Sequence, residues 1–187
     1  GTIYEGGLRV PAIIEWPAVI QPKITQYPAS TMDIFPTIAD ILGLPEDDLL
    51  KPIDGISLKP IFNTVLNKRI KKIPFSFRDK GALLDNNYKL IASSINKNVF
   101  ELYNLENDPT ESQDIATENP VLFEQMKKEF ILWNETVKLS EEGKDYPEGK
   151  VLKNPKSHFW MKDERYQPYL EEWLRRPEYR NRILKGR

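Results

Sequence analysis

IPFSFRDKGALLDNNYKLIASSINKNVFELYNL, residues 73–105, sets four short apolar runs between turn signals, and its reading decides what this chain can build. IPFSF, GALLD, YKLIAS and VFELYNL are rich in aliphatic, aromatic and β-branched residues and too short for helices. Asp85-Asn86-Asn87 and Asn96-Lys97-Asn98 separate them, residue types that tolerate the left-handed backbone of tight turns. The spacing predicts an antiparallel meander. NDPTES (107–112) closes it, and Asn119-Pro120 offers a cap and a first-turn residue for a helix with Leu122, Phe123, Met126, Phe130, Trp133 and Val137 on one face. Burying six such side chains at about 1.5–3 kcal/mol each contributes on the order of 10 kcal/mol before chain entropy, so the helix is expected to pack on the sheet.

Upstream, the pattern is different. LRVPAIIEW (8–16) holds an apolar run, Pro11 to Ile14, between glycines and Pro17, and reads as a short buried strand, with Pro11 barred from a fully laddered central position. STMDIFPTIADILG (30–43) places Ile34, Phe35, Ile38, Ile41 and Leu42 at helical spacing. Ser30, Thr31 or Asp33 can cap it, Pro36 is tolerable in the first turn, and Gly43 supplies a left-handed stop. Residues 44–62 contain three prolines and Asp54-Gly55, an ordered connection, and a subdomain boundary is expected near 63–72. From Gly143 on, the chain is proline-broken, aromatic and charged, with a short helix expected around Pro168 to Arg175. Phe159, Trp160, Tyr166, Tyr169, Trp173 and Tyr179 predict an extension docked over a body.

At 187 residues the chain can bury a real core without disulfides or a structural metal. Lys and Arg number 27 against 28 Asp and Glu, so no nucleic-acid or polyanion scaffold is indicated. The basic runs RIKK (69–72) and RRPEYRNRILKGR (175–187) read as solvated faces. Cysteine is absent, which removes disulfides, thiolate catalysis and zinc–thiolate sites. His158 is the only histidine, so a His-rich metal site is excluded. No apolar run approaches the 18 residues of a membrane span, and residues 1–187 contain no signal-peptide pattern, a leader being compatible with sequence ahead of Gly1.

Glu5, Gly6, Gly7, Arg9 and Pro11 form a loop whose glycines permit close backbone approach, with Arg9 placed to pair with Glu5 across a turn. Asp33 and Asp54 read as a helix-start acid and a turn residue in preference to metal ligands. Taken in order, TIYEGGLRVPAIIEWP, STMDIFPTIADILGLP, DGISLKPIF, YKLI and FELYNLENDPTESQDIA resemble the C-terminal part of an arylsulfatase-type sulfatase, over residues 1 to about 139. The order and spacing of these pieces carry the resemblance more than any one of them.

The resemblance implies an α/β, alkaline-phosphatase-like fold: the end of a large catalytic α/β domain at 1–66, a small antiparallel-sheet and helix subdomain (α+β for this fragment) at 67–142, and a C-terminal extension at 143–187. In such enzymes a lysine contacting sulfate commonly stands directly before the loop resembling GTIYEGG, so the chain is expected to start just after it. The family's formylglycine motif, its usually calcium ligands and its proton-shuttling histidines match no position here, so no catalytic or metal-binding residue is carried over. The implied reaction is hydrolysis of a sulfate ester, of a sulfated saccharide or aryl sulfate, by a parent protein whose N-terminal part is the partner of this chain. Periplasmic or extracellular residence is implied in the same way.

Thr2, Tyr4, Glu5 and Arg9 are then the residues expected to support the missing lysine, with a buried structural pairing of Arg9 preferred to substrate contact. In the tail, His158, Trp160, Lys162 and Arg165 combine an imidazole, a ring and cations suited to a sulfated sugar. The simpler alternative, given more weight, is that Phe159 and Trp160 staple the tail to the body. Two other functions stay open: a phosphonate or phosphodiester hydrolase of the same superfamily, or a non-catalytic binding module. If residues 1–62 complete a larger domain, the faces of LRVPAIIEW and the 31–42 helix are expected to be exposed without it, favouring aggregation or partner binding.

Overall fold

The computed structural model describes residues 2–49, 51–144 and 163–186, and the chain divides into two compact units, 1–149 and 150–187. The four apolar runs are strands β1 (Ile73–Phe77), β2 (Lys80–Asp85), β3 (Tyr88–Ser94) and β4 (Val99–Asn104), paired antiparallel in chain order. The expected meander is thus observed. Its turns rest on left-handed residues: Arg78, Asn86 and Asn98 have φ between 53° and 57°. Helical segments among the described residues are α1 (Glu5–Leu8), α2 (Ile34–Leu42), α3 (Pro60–Asn63) and α4 (Pro120–Glu141) in the first unit, with α5 (Leu170–Trp173) and α6 (Pro177–Gly186) in the second.

Strand alternation gives the sheet two unlike faces. Leu83 pairs with Leu90 and Leu90 with Leu102, and these three with Ala92 form an apolar face on which Met126 and Phe130 of α4 are fully buried. Leu122, Phe123 and Trp133 pack around them, as the helical spacing predicts. Gly81 makes this contact possible, since a Cβ there would lie 2.4 Å from the Phe130 ring. Pro120 occupies the first turn of α4 as expected, but Asn119 makes no side-chain cap; its amide donates to Ile115 O instead. The opposite face presents Ala82, Lys89, Ile91 and Tyr103, and Ile3 from the N-terminal segment is buried against it.

A 3-10 turn over Thr31–Asp33, capped reciprocally by Ser30 and Asp33, leads into α2; Asp33 makes no side-chain cap on α2 itself, and Gly43, at φ 67°, ends the helix as expected. Its inner side is mixed: Ala39 is buried and Ile41 packs on Leu58, Ile61 and Phe62, Thr37 Oγ1 donates to Asp33 O and accepts from Leu58 N, and the half-buried Asp40 takes Ser57 Oγ and Lys59 Nζ. Ile34, Phe35, Ile38 and Leu42 are exposed. Asp33 is fully buried, its two oxygens accepting from both terminal nitrogens of Arg69 at 2.8 Å, from Ser30 N and from Ile56 N. Burial alone would raise its pKa; the Arg69 hydrogen bonds, the two amides and the guanidinium charge outweigh that and hold it below the ordinary carboxylate value.

The RIKK run is therefore not a solvated face. Arg69 is buried on Asp33, and Lys72 bridges Asp85 and Glu129, because acids distant in sequence converge there. Asp54, expected as a turn residue, accepts from Trp133 Nε1. LRVPAIIEW departs from expectation in one respect: residues 9–16 form no strand, while Val10, Ile13 and Ile14 are exposed, as expected of this face apart from a larger domain. A strand needs a ladder partner, and among the described residues no strand pairs with this segment. In the second unit the short helix expected at 168–175 is α5, preceded by a 3-10 turn over Glu164–Tyr169, and α6 is an addition the arginine-rich sequence did not suggest. Leu170 and Ile183 form its small core with Trp173 and Leu174.

Candidate functional site

The N-terminal loop is held by side chains of the second sheet face. Successive residues of β3 alternate sides, so Lys89 and Ile91 emerge on the face opposite Leu90, and the β4 residues Glu101 and Tyr103 emerge beside them. Ile3 fills the apolar part of this surface. Tyr4 OH donates to Glu101 Oε2 at 2.6 Å, the same oxygen that accepts from Tyr103 OH at 2.9 Å, and the two rings meet edge to face. One residue on, Glu5 Oε1 accepts from Lys89 Nζ at 2.8 Å. Two of these three consecutive attachments are thus polar, and none is local.

Lys89 is 1% exposed, an unusual state for an ammonium group, and it is compensated twice. Besides Glu5, it lies 2.7 Å from Glu111 Oε1, an ion pair whose alignment is poor for a directed hydrogen bond. Glu111 Oε2 accepts the backbone N–H of Glu5 at 2.6 Å, so the loop is grasped by main chain and side chain together. Glu111 itself sits at φ 56°, a left-handed backbone that costs a non-glycine residue energy and persists only where surroundings over-determine it. The Glu111 N–H donates to Asp108 O, while the Asp108 carboxylate gathers Thr110, Ser112 and Gln113. That turn delivers Glu111 to Lys89.

The phenols are neutral donors. Burial first, then hydrogen bonding to Glu101 and its charge, push the Tyr4 hydroxyl up to about 12 and Tyr103 upward for the same reasons. The buried acids are likewise committed: Glu5 and Glu111 to Lys89, Asp33 to Arg69. Among the described residues no group of three or more His, Asp or Glu side chains is placed to hold a metal ion. These residues therefore do not fit a calcium site, and without cysteine or a nucleophile motif they do not fit a formylglycine either. What the arrangement can do is fix the conformation of residues 2–8 to within a side chain's play.

Of the residues singled out from the sequence, Tyr4 and Glu5 enter this clamp. Thr2 is exposed, its hydroxyl accepting from Tyr4 N at 3.3 Å. Arg9 is also exposed, and the expected Arg9–Glu5 pairing does not form: the turn of α1 brings only the Arg9 N–H to Glu5 O, while Lys89 takes the carboxylate. Arg165 forms a fork with Asp163 and lies over the Tyr166 ring. His158, Trp160 and Lys162 lie outside the described residues. Sequence reasoning missed Lys89, Glu101, Tyr103 and Glu111; the available signal was a lysine inside the otherwise apolar run YKLIAS.

Residues 2–136 match the family model for the C-terminal region of N-sulphoglucosamine sulphohydrolase. A sulfatase of Formosa agariphila is 32% identical over 138 residues, covering 64% of this chain and 25% of that protein. Human steryl-sulfatase is 53% identical over 62 residues, 31% of this chain and 10% of the relative. The choline-sulfatase of Rhizobium meliloti is 31% identical over 121 residues, 63% and 23% respectively. The chain thus spans a quarter or less of the length of these relatives. Among solved structures, a Bacteroides thetaiotaomicron protein from a locus for glycosaminoglycan metabolism superposes with TM-score 0.54 at 24% identity, over 73% of this chain and 30% of the other, a likeness of fold.

Proposed function

Since the chain belongs to the N-sulphoglucosamine sulphohydrolase C-terminal family, we propose that it is the C-terminal part of a sulfatase that hydrolyses sulfate esters. The observation that carries this reading is the family match over 2–136, which takes in the loop, the sheet that clamps it and the helix behind the sheet. The relatives named above act, by their names, on steryl and choline sulfates, so what they share is the bond broken and not the alcohol released. For this protein the substrate class is a sulfated saccharide or an aryl sulfate. Calcium and formylglycine belong, in this reading, to the N-terminal part of the same protein, which is also the partner of the exposed faces of residues 10–14 and α2.

The division of labour follows from the clamp. Tyr4 and Glu5 bind the loop to the sheet, and Thr2 and Arg9 occupy its solvent side, free to support a neighbouring catalytic group or the substrate. His158, Trp160, Lys162 and Arg165 are retained as substrate-contacting candidates. The functional division runs 1–66 with the catalytic domain, 67–142 as the clamp-bearing subdomain and 143–187 as an extension, in a periplasmic or extracellular protein. The test is a chromogenic aryl sulfate assay with calcium, comparing this chain with one extended upstream and matured in a formylglycine-competent host. Activity only in the extended protein is expected. An extended protein that cleaves phosphodiesters or phosphonates but no sulfate ester overturns the reading.

A further inference from the structure

We propose that residues 10–15 act as a β-strand in a sheet belonging to the upstream part of the same protein, with α2 covering one face of that sheet. The partner rests on the reading above, that the chain is the C-terminal part of a longer enzyme; the surface itself rests on geometry. The segment leaves the clamped loop already extended, Arg9 having φ −80° and ψ 121°. Residues 9–18 are all exposed, Val10 at 75% and Ile13 at 93%. From Val10 to Glu15, no backbone N–H or C=O takes part in a hydrogen bond among the described residues. Bare apolar side chains on an unladdered backbone are the marks of a strand standing apart from its neighbours.

The side-chain pattern gives the kind of sheet. Strand geometry sends Val10, Ala12 and Ile14 to one face and Pro11 and Ile13 to the other, so both faces are apolar. Such a run suits a strand in a sheet layered by helices on both sides, whereas a sheet with one wet face would alternate apolar and polar residues. Helix α2 supplies one such layer. Ile34, Phe35, Ile38 and Leu42 fall within an arc of about 100° of the helix and are each more than half exposed.

The four-stranded sheet of this chain is a poor acceptor. One edge, β4, is closed, Leu102 N donating to Asp114 Oδ1 and Leu102 O accepting from Ile115 N; the other, β1, carries Pro74, which has no N–H to give. Pairing with the same segment of a second copy would make only a two-stranded ribbon, marginal in water. The relatives named above have three quarters or more of their length outside the matched region, ample for the acceptor sheet.

The test is amide hydrogen exchange at residues 10–16, read by mass spectrometry with electron-transfer fragmentation, in the 187-residue chain and in the protein extended upstream. Exchange near the rate of an unfolded peptide is expected in the chain alone, and slowing by about a hundredfold or more in the extended protein. The amides of Val10, Ala12 and Ile14 carry the result, because Pro11 removes a donor from the row that Ile13 and Glu15 share. Ile13→Asp should leave the urea midpoint of the 187-residue chain unchanged, since that side chain is already in solvent, and should cut protection in the extended protein by about tenfold or more. Equal exchange in the two proteins overturns the proposal, as does protection in the chain alone that grows with its concentration, the sign of self-pairing. The readout needs no turnover: slowed exchange in an extended protein that cleaves no sulfate ester would refute the activity and leave the strand standing, whereas fast exchange at 10–16 in an active sulfatase would refute the strand alone.

Discussion

Replacing Lys89 by Met tests whether the N-terminal loop is held by a buried ion cluster or merely rests on apolar contacts. Met preserves most of the side-chain volume on β3 and removes only the ammonium. Lys89 and the Glu111 side chain are 1% and 2% exposed, and Glu5 is partly buried, so the substitution leaves two carboxylates facing each other with little water to screen them. Removing one partner of a buried pair costs about 3–5 kcal/mol. Two stranded anions place this case toward the upper end, against a total stability on the order of 5–15 kcal/mol for a domain. Urea denaturation of the 187-residue chain, followed by far-ultraviolet circular dichroism, reads this as a lowered midpoint at unchanged slope. Glu111→Gln supplies the control: it deletes a charge while its amide oxygen can still accept the Glu5 N–H. Introduced into the Lys89→Met background it should restore stability, although alone it costs about 1–3 kcal/mol as a perturbed charged hydrogen bond. A loss under about 1 kcal/mol for Lys89→Met, or the same Glu111→Gln effect in both backgrounds, would refute the ion-cluster account.

Asp33 gives an acid-side prediction. Its folded pKa is depressed, so its contribution is fully present above the unfolded value near 3.8 and is lost as pH falls through the folded one; Asp33→Asn should remove that part of the acid destabilisation seen in pH-dependent melts. Tyr4 gives the alkaline counterpart: with its hydroxyl raised from 10.0 to about 12, its contribution is intact below pH 10 and is lost as pH rises through about 12, and Tyr4→Phe should lessen the fall of the urea midpoint across that window, leaving the part due to Tyr103. An unchanged alkaline profile in the variant would place the dependence elsewhere. Gly55→Ala should destabilise by more than about 2 kcal/mol, since the new Cβ would lie 2.0 Å from Met32 O and backbone must move at the start of α2; a melting temperature within about 2 °C of the parent would contradict this.

The meander and α4 were legible because they depend on short-range signals: turn-forming asparagines, strands too short for anything else, and a helical stripe of six apolar side chains. The start of the turn leading into α2 was legible for the same reason, since Ser30, one of the capping candidates, and Asp33 find each other three residues apart. What the sequence hid was partner choice over distance. Arg9 is four residues from Glu5 and looks like its partner, yet Lys89, 84 residues away, takes the carboxylate. Arg69 sits in a basic run that reads as solvated and is buried on Asp33, 36 residues back. In both cases a charge was assigned by its neighbours in the chain, while the fold pairs it with whatever the sheet and turns bring within 3 Å.

That difference also explains why a lysine stands inside YKLIAS. One face of β3 is dry and closed by Met126 and Phe130; the other must accept a loop whose backbone N–H groups and acidic side chain cannot be left in an apolar contact without partners. Lys89 and Glu111 answer the two needs together, the ammonium for the Glu5 carboxylate and the Glu111 oxygen for the Glu5 N–H. An apolar residue at position 89 would bury the loop as well, but it would fix neither its register nor its orientation, because hydrophobic contact is non-directional. If this is why the lysine is there, Lys89→Met with Glu5→Gln and Glu111→Gln should fold with near-parental stability while amide exchange at residues 3–8 speeds up. Equal exchange protection in the triple variant and the parent would mean that packing of Ile3 alone sets the loop.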